Sequence, residues 1–141
     1  MRLYAESSAV LAWLLGETTG RVVHEALDRA QFVVASDLTL VECDRALIRA
    51  ETVDALTEAQ ATDRRARLRT ASSYWHLLHV DDDVVSRARR RFPGQPIRTL
   101  DALHLASALV VAAAVEDLAV LSLDHRIRTA SSELGLRVVP A

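Results

Sequence analysis

The sequence predicts an α/β fold: a three-layer α/β/α sandwich around a parallel central sheet of about five strands. Two observations carry this. Short apolar runs alternate along the whole chain with longer segments of helical spacing, the pattern of strands joined by helical crossovers. At 141 residues and 15.5 kDa, with 50% hydrophobic and 26% charged residues, the chain is one domain (residues 1–141) of soluble composition, large enough to bury a core.

Arg2-Leu3-Tyr4-Ala5 reads as the first strand, followed by a helix from Ser7 or Ser8 to Leu15 that Gly16 stops. A second helix is expected over Thr18–Ala30, and Phe32-Val33-Val34-Ala35 as the second strand. Leu40, Cys43 and Leu47, with Val41 and Ile48, recur at helical spacing. Val53–Ala71 reads as an arginine-rich helix and Tyr74–Leu78 as the third strand. Asp81-Asp82-Asp83 opens a helix that closes on Arg89-Arg90-Arg91, a charge order that suits the helix dipole. After the Phe92–Pro96 loop, Leu100–Val115 is apolar nearly all round and reads as a buried helix. Leu118–Leu121, Asp124–Leu134 and Leu136–Val139 complete the alternation as strand, helix and strand.

Composition excludes several chemistries. Net charge is −2, so no global basic field announces a nucleic-acid partner. All 17 basic residues are arginine; the absence of lysine rules out a P-loop, a lysine Schiff base and a lysine-bound pyridoxal cofactor. Cys43 is the single cysteine, which leaves no disulfide framework and no cysteine zinc site. No signal peptide opens the chain, since Glu6 follows closely on Met1-Arg2-Leu3-Tyr4, and a cytoplasmic location is expected. The most apolar stretch, Ala102–Val115, is interrupted by His104 and Ser107 and falls short of the ~20 residues of a membrane span.

In open parallel sheets, ligands bind beyond the carboxyl ends of the strands. Glu6 follows the first strand, Glu42 lies in the first turns of the helix after the second, and Asp124 follows the fourth. Asp101 joins them if its helix starts at the same edge. Each acid has a simpler reading. Thr39-Leu40-Val41-Glu42 matches a capping box, Asp101 sits just after a candidate cap at Thr99, Asp124 can itself be a cap, and Glu6 can be a surface carboxylate. Together they argue differently. Carboxylates crowded at one edge raise one another's pKa, and a cation relieves them. An oxygen-only donor set suits Mg2+ or Mn2+, which assists phosphodiester hydrolysis.

The same residues resemble a known family. Tyr4-Ala5-Glu6-Ser7-Ser8-Ala9-Val10-Leu11 looks like the opening motif of the PIN-domain family, usually hydrophobic-Asp-Thr/Ser-Ser-Ala. Leu38-Thr39-Leu40-Val41-Glu42 resembles its second motif. Thr99-Leu100-Asp101-Ala102-Leu103-His104-Leu105-Ala106 is close to its third, and Val120-Leu121-Ser122-Leu123-Asp124 resembles its fourth. The likeness spans nearly the whole chain, and size and element order resemble the VapC-type toxin ribonucleases. It implies a magnesium-dependent endoribonuclease, the toxin of a type II toxin–antitoxin pair, that forms a homodimer and is paired with a VapB-like antitoxin. It assigns metal binding and water activation to Glu6, Glu42, Asp101 and Asp124, with Ser8 and Ser122 in support. The first acid is usually aspartate; Glu6 keeps the charge but carries it about 1.5 Å further out. That departure motivates an alternative: an impaired PIN-like domain that binds RNA or antitoxin without cleaving.

Other candidates have plainer readings. His104 shares a helix face with Asp101, and His125 adjoins Asp124, so a mixed His/Asp metal site is weighed against a packed structural histidine. Cys43 lies on a packed stripe. The arginine runs 64–69 and 87–91 are solvated helix faces or an RNA backbone track, the latter through Arg89, Arg91 and Arg98. Trp13 and Trp75 are expected to pack rather than stack on bases.

Overall fold

The first strand, β1 (Arg2–Ala5), is buried on both faces, and a strand apolar on both faces needs helices on both. A computed structural model, which describes residues 1–94 and 96–141, has that arrangement. The elements follow in the order β1, α1 (Ser7–Leu14), α2 (Gly20–Arg29), β2 (Phe32–Ser36), α3 (Asp37–Thr52), α4 (Glu58–Ser72), β3 (His76–Leu78), α5 (Asp82–Ala88), α6 (Thr99–Ala112), β4 (Leu118–Leu121), α7 (His125–Glu133) and β5 (Arg137–Val139). The five strands form one sheet in the order β3-β2-β1-β4-β5, every pair parallel.

The period of two along the strands sorts the core into layers. Tyr4, Val34 and Val120 face one side, where they pack with Leu105, Ala108 and Val111 of α6 and Ile127 of α7. Leu3, Ala5, Val33, Ala35, Ala119 and Leu121 face the other, against Ala9, Val10 and Leu14 of α1, Val23 of α2, Cys43 of α3 and Leu68 of α4. Gly20 makes the α1–α2 approach possible: a Cβ there would lie 2.4 Å from the Ala12 carbonyl oxygen.

Among the boundaries that differ from expectation, three show a local cap or partner overriding propensity. The helix expected from Val53 begins at Glu58, because Thr57 and Gln60 form a reciprocal capping box and Asp54, at φ 58°, turns the chain out of α3. The third strand begins at His76 rather than Tyr74, since only Val34, Ala35 and Ser36 of β2 offer it a partner; Tyr74 stands 83% exposed in the preceding turn. The second helix begins at Gly20, where the glycine N–H bonds the Glu17 carbonyl.

The chain steps outward from β1 through β2 to β3, then returns to pair β4 with β1 on the other side. The β1/β4 boundary is the topological switch point, and the segments leaving these two strands diverge there. Among the described residues no helix is long and apolar enough to cross a membrane.

Candidate functional site

Parallel register carries the first and fourth acids together. Ala5 pairs with Leu121, so the next residues, Glu6 and Ser122, leave the sheet side by side, and the Glu6 N–H bonds the Leu121 carbonyl at 3.0 Å. Glu6 is the N-cap of α1 and is only 4% exposed. Its Oε1 accepts from the Ser7 hydroxyl (2.8 Å) and the Ser8 N–H (3.1 Å). Its Oε2 accepts from the Ser122 hydroxyl (2.7 Å) and from the Ser8 hydroxyl. Two carboxylate oxygens offer roughly four lone-pair directions, and all of them are occupied. Glu6 is thus a buried anchor, not the surface carboxylate of the simpler reading.

Ser8 and Ser122 form the other half of that anchor. The Ser8 oxygen accepts from the N–H groups of Leu123 (2.9 Å) and Asp124 (3.1 Å), and the Ser122 oxygen also accepts from Asp124 N–H (3.1 Å). Arg128 holds the same turn by donating to the Ser122 carbonyl at 2.8 Å. These bonds fix the start of α7, where Asp124 caps the helix through Oδ1, accepting from Ile127 N–H at 3.0 Å. The capping role does not exclude a second one, because Oδ2 takes no part in it.

Glu42 arrives differently. The capping box read in Thr39–Glu42 is not formed: Ser36 caps α3 through the Leu38 N–H, and the Thr39 hydroxyl donates instead to the Ala5 carbonyl at 3.0 Å. That bond pins the first turn of α3 to the end of β1 and brings Glu42, one turn on, beside Ser7. The Ser7 hydroxyl lies 3.1 Å from Glu42 Oε1 as well as against Glu6. Glu42 Oε1 also meets His104 Nε2 at 2.5 Å, and His104 Nδ1 in turn meets the Tyr4 hydroxyl at 2.8 Å. Partial burial works to raise the Glu42 pKa. The His104 hydrogen bond and charge, with help from Ser7, outweigh it, and the carboxyl titrates below its usual range.

Asp101 lies in the first turn of α6, whose N-cap is Arg98 rather than Thr99, with no side-chain cap bond. Its carboxyl is pushed above the usual range by burial, then by the charges of Asp124 and Glu6, with His104 and Arg98 opposing. The first, third and fourth acids therefore feel one another across the switch point, and Arg98 stands at its edge. Arg89, Arg91 and Arg98 are exposed, and Arg87 is held inward over the Phe92 ring, 4.3 Å from its centre.

His104 is 2% exposed and both ring nitrogens face protein partners, so it has no lone pair for a metal and the mixed His/Asp site does not form. Burial raises the Cys43 thiol, which Glu42, Asp44 and Glu6 raise further; it packs and is no nucleophile. Trp13 stacks on His24 and, with Trp75 and His76, lines a groove of about 800 Å3 at the amino-terminal ends of β2 and β3, away from the acids. Sequence reasoning passed over Ser7, which bridges Glu6 and Glu42, and Tyr4, which holds His104. The Tyr4 signal was legible in principle: a tyrosine at a central strand position needs a partner for its hydroxyl.

Among the described residues, no three His, Cys, Asp or Glu side chains converge closely enough to ligate one ion as they stand. The donor chemistry nevertheless fits a hard divalent cation: carboxylate oxygens alone, with Asp101 raised by its like-charged neighbours and Asp124 Oδ2 and Glu42 Oε2 unengaged.

A doubly wound α/β domain with acids gathered beyond the carboxyl ends of its strands is what fold and site define. The chain belongs to the PIN domain family, whose sequence profile matches residues 3–133. It is 31% identical to Ribonuclease VapC46 of Mycobacterium tuberculosis over 137 residues, 97% of this chain and 95% of the relative. Among solved structures, it resembles the sarcin-ricin-loop-cleaving toxin VapC20 of M. tuberculosis at a TM-score of 0.69 and 17% identity, covering 99% of each chain. A toxin–antitoxin complex from Klebsiella pneumoniae matches at a TM-score of 0.63 and 17% identity, covering 99% of this chain and 97% of that one.

Proposed function

We propose that the protein is a divalent-metal-dependent endoribonuclease acting as the toxin of a type II toxin–antitoxin pair. The observation that carries this is the acid cluster at the switch point, where Asp101 is held above its usual range with Asp124 and Glu6 as neighbours. Membership of the PIN family and the ribonuclease names of its relatives support it.

Asp101, Asp124 and Glu42 would hold Mg2+ or Mn2+, because among the described residues each keeps a carboxylate oxygen without a hydrogen bond. Such an ion, when bound, supplies positive charge at the scissile phosphate and makes water acidic enough to attack it. Glu6, expected as a ligand, has its acceptor directions filled by serine donors. Its role in this reading is to lock Ser8 and Ser122, and through them the turn that carries Asp124. Ser7 keeps Glu42 in register with that turn. Arg89, Arg91 and Arg98 present guanidinium groups to RNA phosphates, with Arg98 nearest the acids.

An antitoxin partner and a second copy of the chain follow from the family reading, and a guanidinium from the antitoxin would neutralise the carboxylates. The test is cleavage of a panel of structured RNAs. Cutting should require Mg2+ or Mn2+, stop with chelator and vanish in Asp101→Asn. Undiminished cleavage in excess chelator would falsify the metal reading.

The saturation of Glu6 favours one second reading, a domain that binds RNA or antitoxin without cleaving. It predicts a parent silent with every metal yet retaining RNA or antitoxin affinity.

A further inference from the structure

We propose that His104 is a positioning residue for Glu42: the Tyr4–His104 pair, built into the core, fixes which oxygen of Glu42 faces the acid cluster. The inference rests on the proposed metal site but concerns only residues of this chain.

Tyr4 is fully buried at the centre of β1 and His104 is buried on α6, so neither was placed for contact with substrate. They are 100 residues apart in sequence, yet the phenol oxygen lies 2.8 Å from Nδ1. The rings meet edge to face, 6.1 Å between centroids and 71° between planes, which sets the imidazole's rotation as well as its place. Nδ1 either accepts the phenol's O–H, in the neutral ring, or donates to the phenol oxygen, in the imidazolium; because an ionised carboxylate only accepts, the ring carries a proton on Nε2 in both cases. That nitrogen stands 2.5 Å from Glu42 Oε1.

Glu42 is otherwise a long, half-buried side chain with three rotatable bonds, and the sequence around it supplies nothing to hold it. With Oε1 taken by His104, and the nearby Ser7 hydroxyl closer to Glu6, Oε2 alone remains for a cation. The histidine does at a distance what a partner in the shell behind a metal ligand does: it fixes the ligand's orientation and leaves the ion to the carboxylate. Packing alone needs neither the phenol nor the imidazole; Phe and Leu would fill the same space without polar atoms to satisfy.

The test uses the full chain in three variants and two readouts. In metal-free protein, a 15N-correlated imidazole N–H resonance of His104 should be slowly exchanging and assigned to Nε2. Its absence, or a proton on Nδ1 alone, overturns the proposal whether or not the protein binds metal. Manganese titration is the second readout. Removing such outer partners typically costs about 10–100-fold in metal affinity or activity, and His104→Leu should lose that much. His104→Gln, whose amide can donate where Nε2 did, should recover most of the loss, and Tyr4→Phe should fall between it and the parent. Equal losses in folded His104→Gln and His104→Leu, or parent affinity in His104→Leu, would make the histidine a packing residue. A parent that binds no manganese removes the proposed metal site, while the resonance in metal-free protein still decides the role of His104. If His104→Leu does not fold, the comparison of Tyr4→Phe with the parent takes its place, and an unchanged affinity there overturns the proposal.

Discussion

Glu6 offers the sharpest quantitative test, because its surroundings give graded results for three substitutions at one side chain. Glu6→Ala removes the cap of α1, worth roughly 0.5–2 kcal/mol, and strands the hydroxyls of Ser7, Ser8 and Ser122. Hydrogen bonds to a charged group contribute roughly 1.5–3 kcal/mol each. Two effects offset part of that loss. The alanine variant no longer desolvates a buried carboxylate, and the Ser8 oxygen keeps the Leu123 and Asp124 amides as partners. The expected net destabilisation is about 2–4 kcal/mol. Glu6→Asp retains a strong N-cap but withdraws the carboxylate by about 1.5 Å, out of reach of Ser122 Oγ; the loss of that one bond should cost about 1–2 kcal/mol. Glu6→Gln keeps one acceptor oxygen, but its amide faces a Ser8 oxygen whose lone pairs the Leu123 and Asp124 N–H groups already take, so it should cost more than Glu6→Asp and less than Glu6→Ala. Urea unfolding followed by circular dichroism, with unchanged slopes, reads all three. A Glu6→Ala variant within about 0.5 kcal/mol of the parent, the range of ordinary surface changes, would refute the anchored arrangement. The same variants separate chemistry from scaffold. If Glu6 is a metal ligand, Glu6→Gln loses most cleavage and Glu6→Asp keeps it. If Glu6 is an anchor, cleavage follows stability instead.

Asp101→Asn should raise the melting temperature of the metal-free protein while removing cleavage, since Asp101 is strained by burial and by Asp124 and Glu6; a lowered melting temperature would instead mark Asp101 as structural. The pH dependence of stability should show two opposed carboxyls. Glu42, held below its usual range in the fold, contributes stability that is complete above that range and lost on acidification through its folded value, so Glu42→Gln should flatten the acid limb of a denaturation series. Asp101, held above its usual range, imposes a cost present at neutral pH and relieved as pH falls, so Asp101→Asn should steepen the same limb. Gly20→Ala should destabilise by about 1–3 kcal/mol, because its methyl meets the immovable Ala12 backbone; unchanged stability would show that α2 shifts freely.

What the sequence determined by itself is what short-range periodicity encodes. Strand runs such as Leu118–Leu121 and helical stripes such as Leu40, Cys43 and Leu47 carry their own partners' signature, and the alternation of the two implies a parallel sheet with a carboxyl edge. That edge named the four acids, because each follows a strand or opens a helix within a few residues. Boundaries at Thr57 and His76 were less legible, since a cap and the length of the neighbouring strand set them. What holds each acid was decided by tertiary structure. Thr39-x-x-Glu42 spells a capping box locally, but Thr39 donates across to Ala5 and Glu42 answers to a histidine 62 residues away. Glu6 looks like a free carboxylate until Ser122, 116 residues on, closes over it. Hydrogen-bond saturation of a buried group depends on every donor that folding brings near it. Those donors come from α1, α6 and the turn after β4, and no window of sequence contains them together.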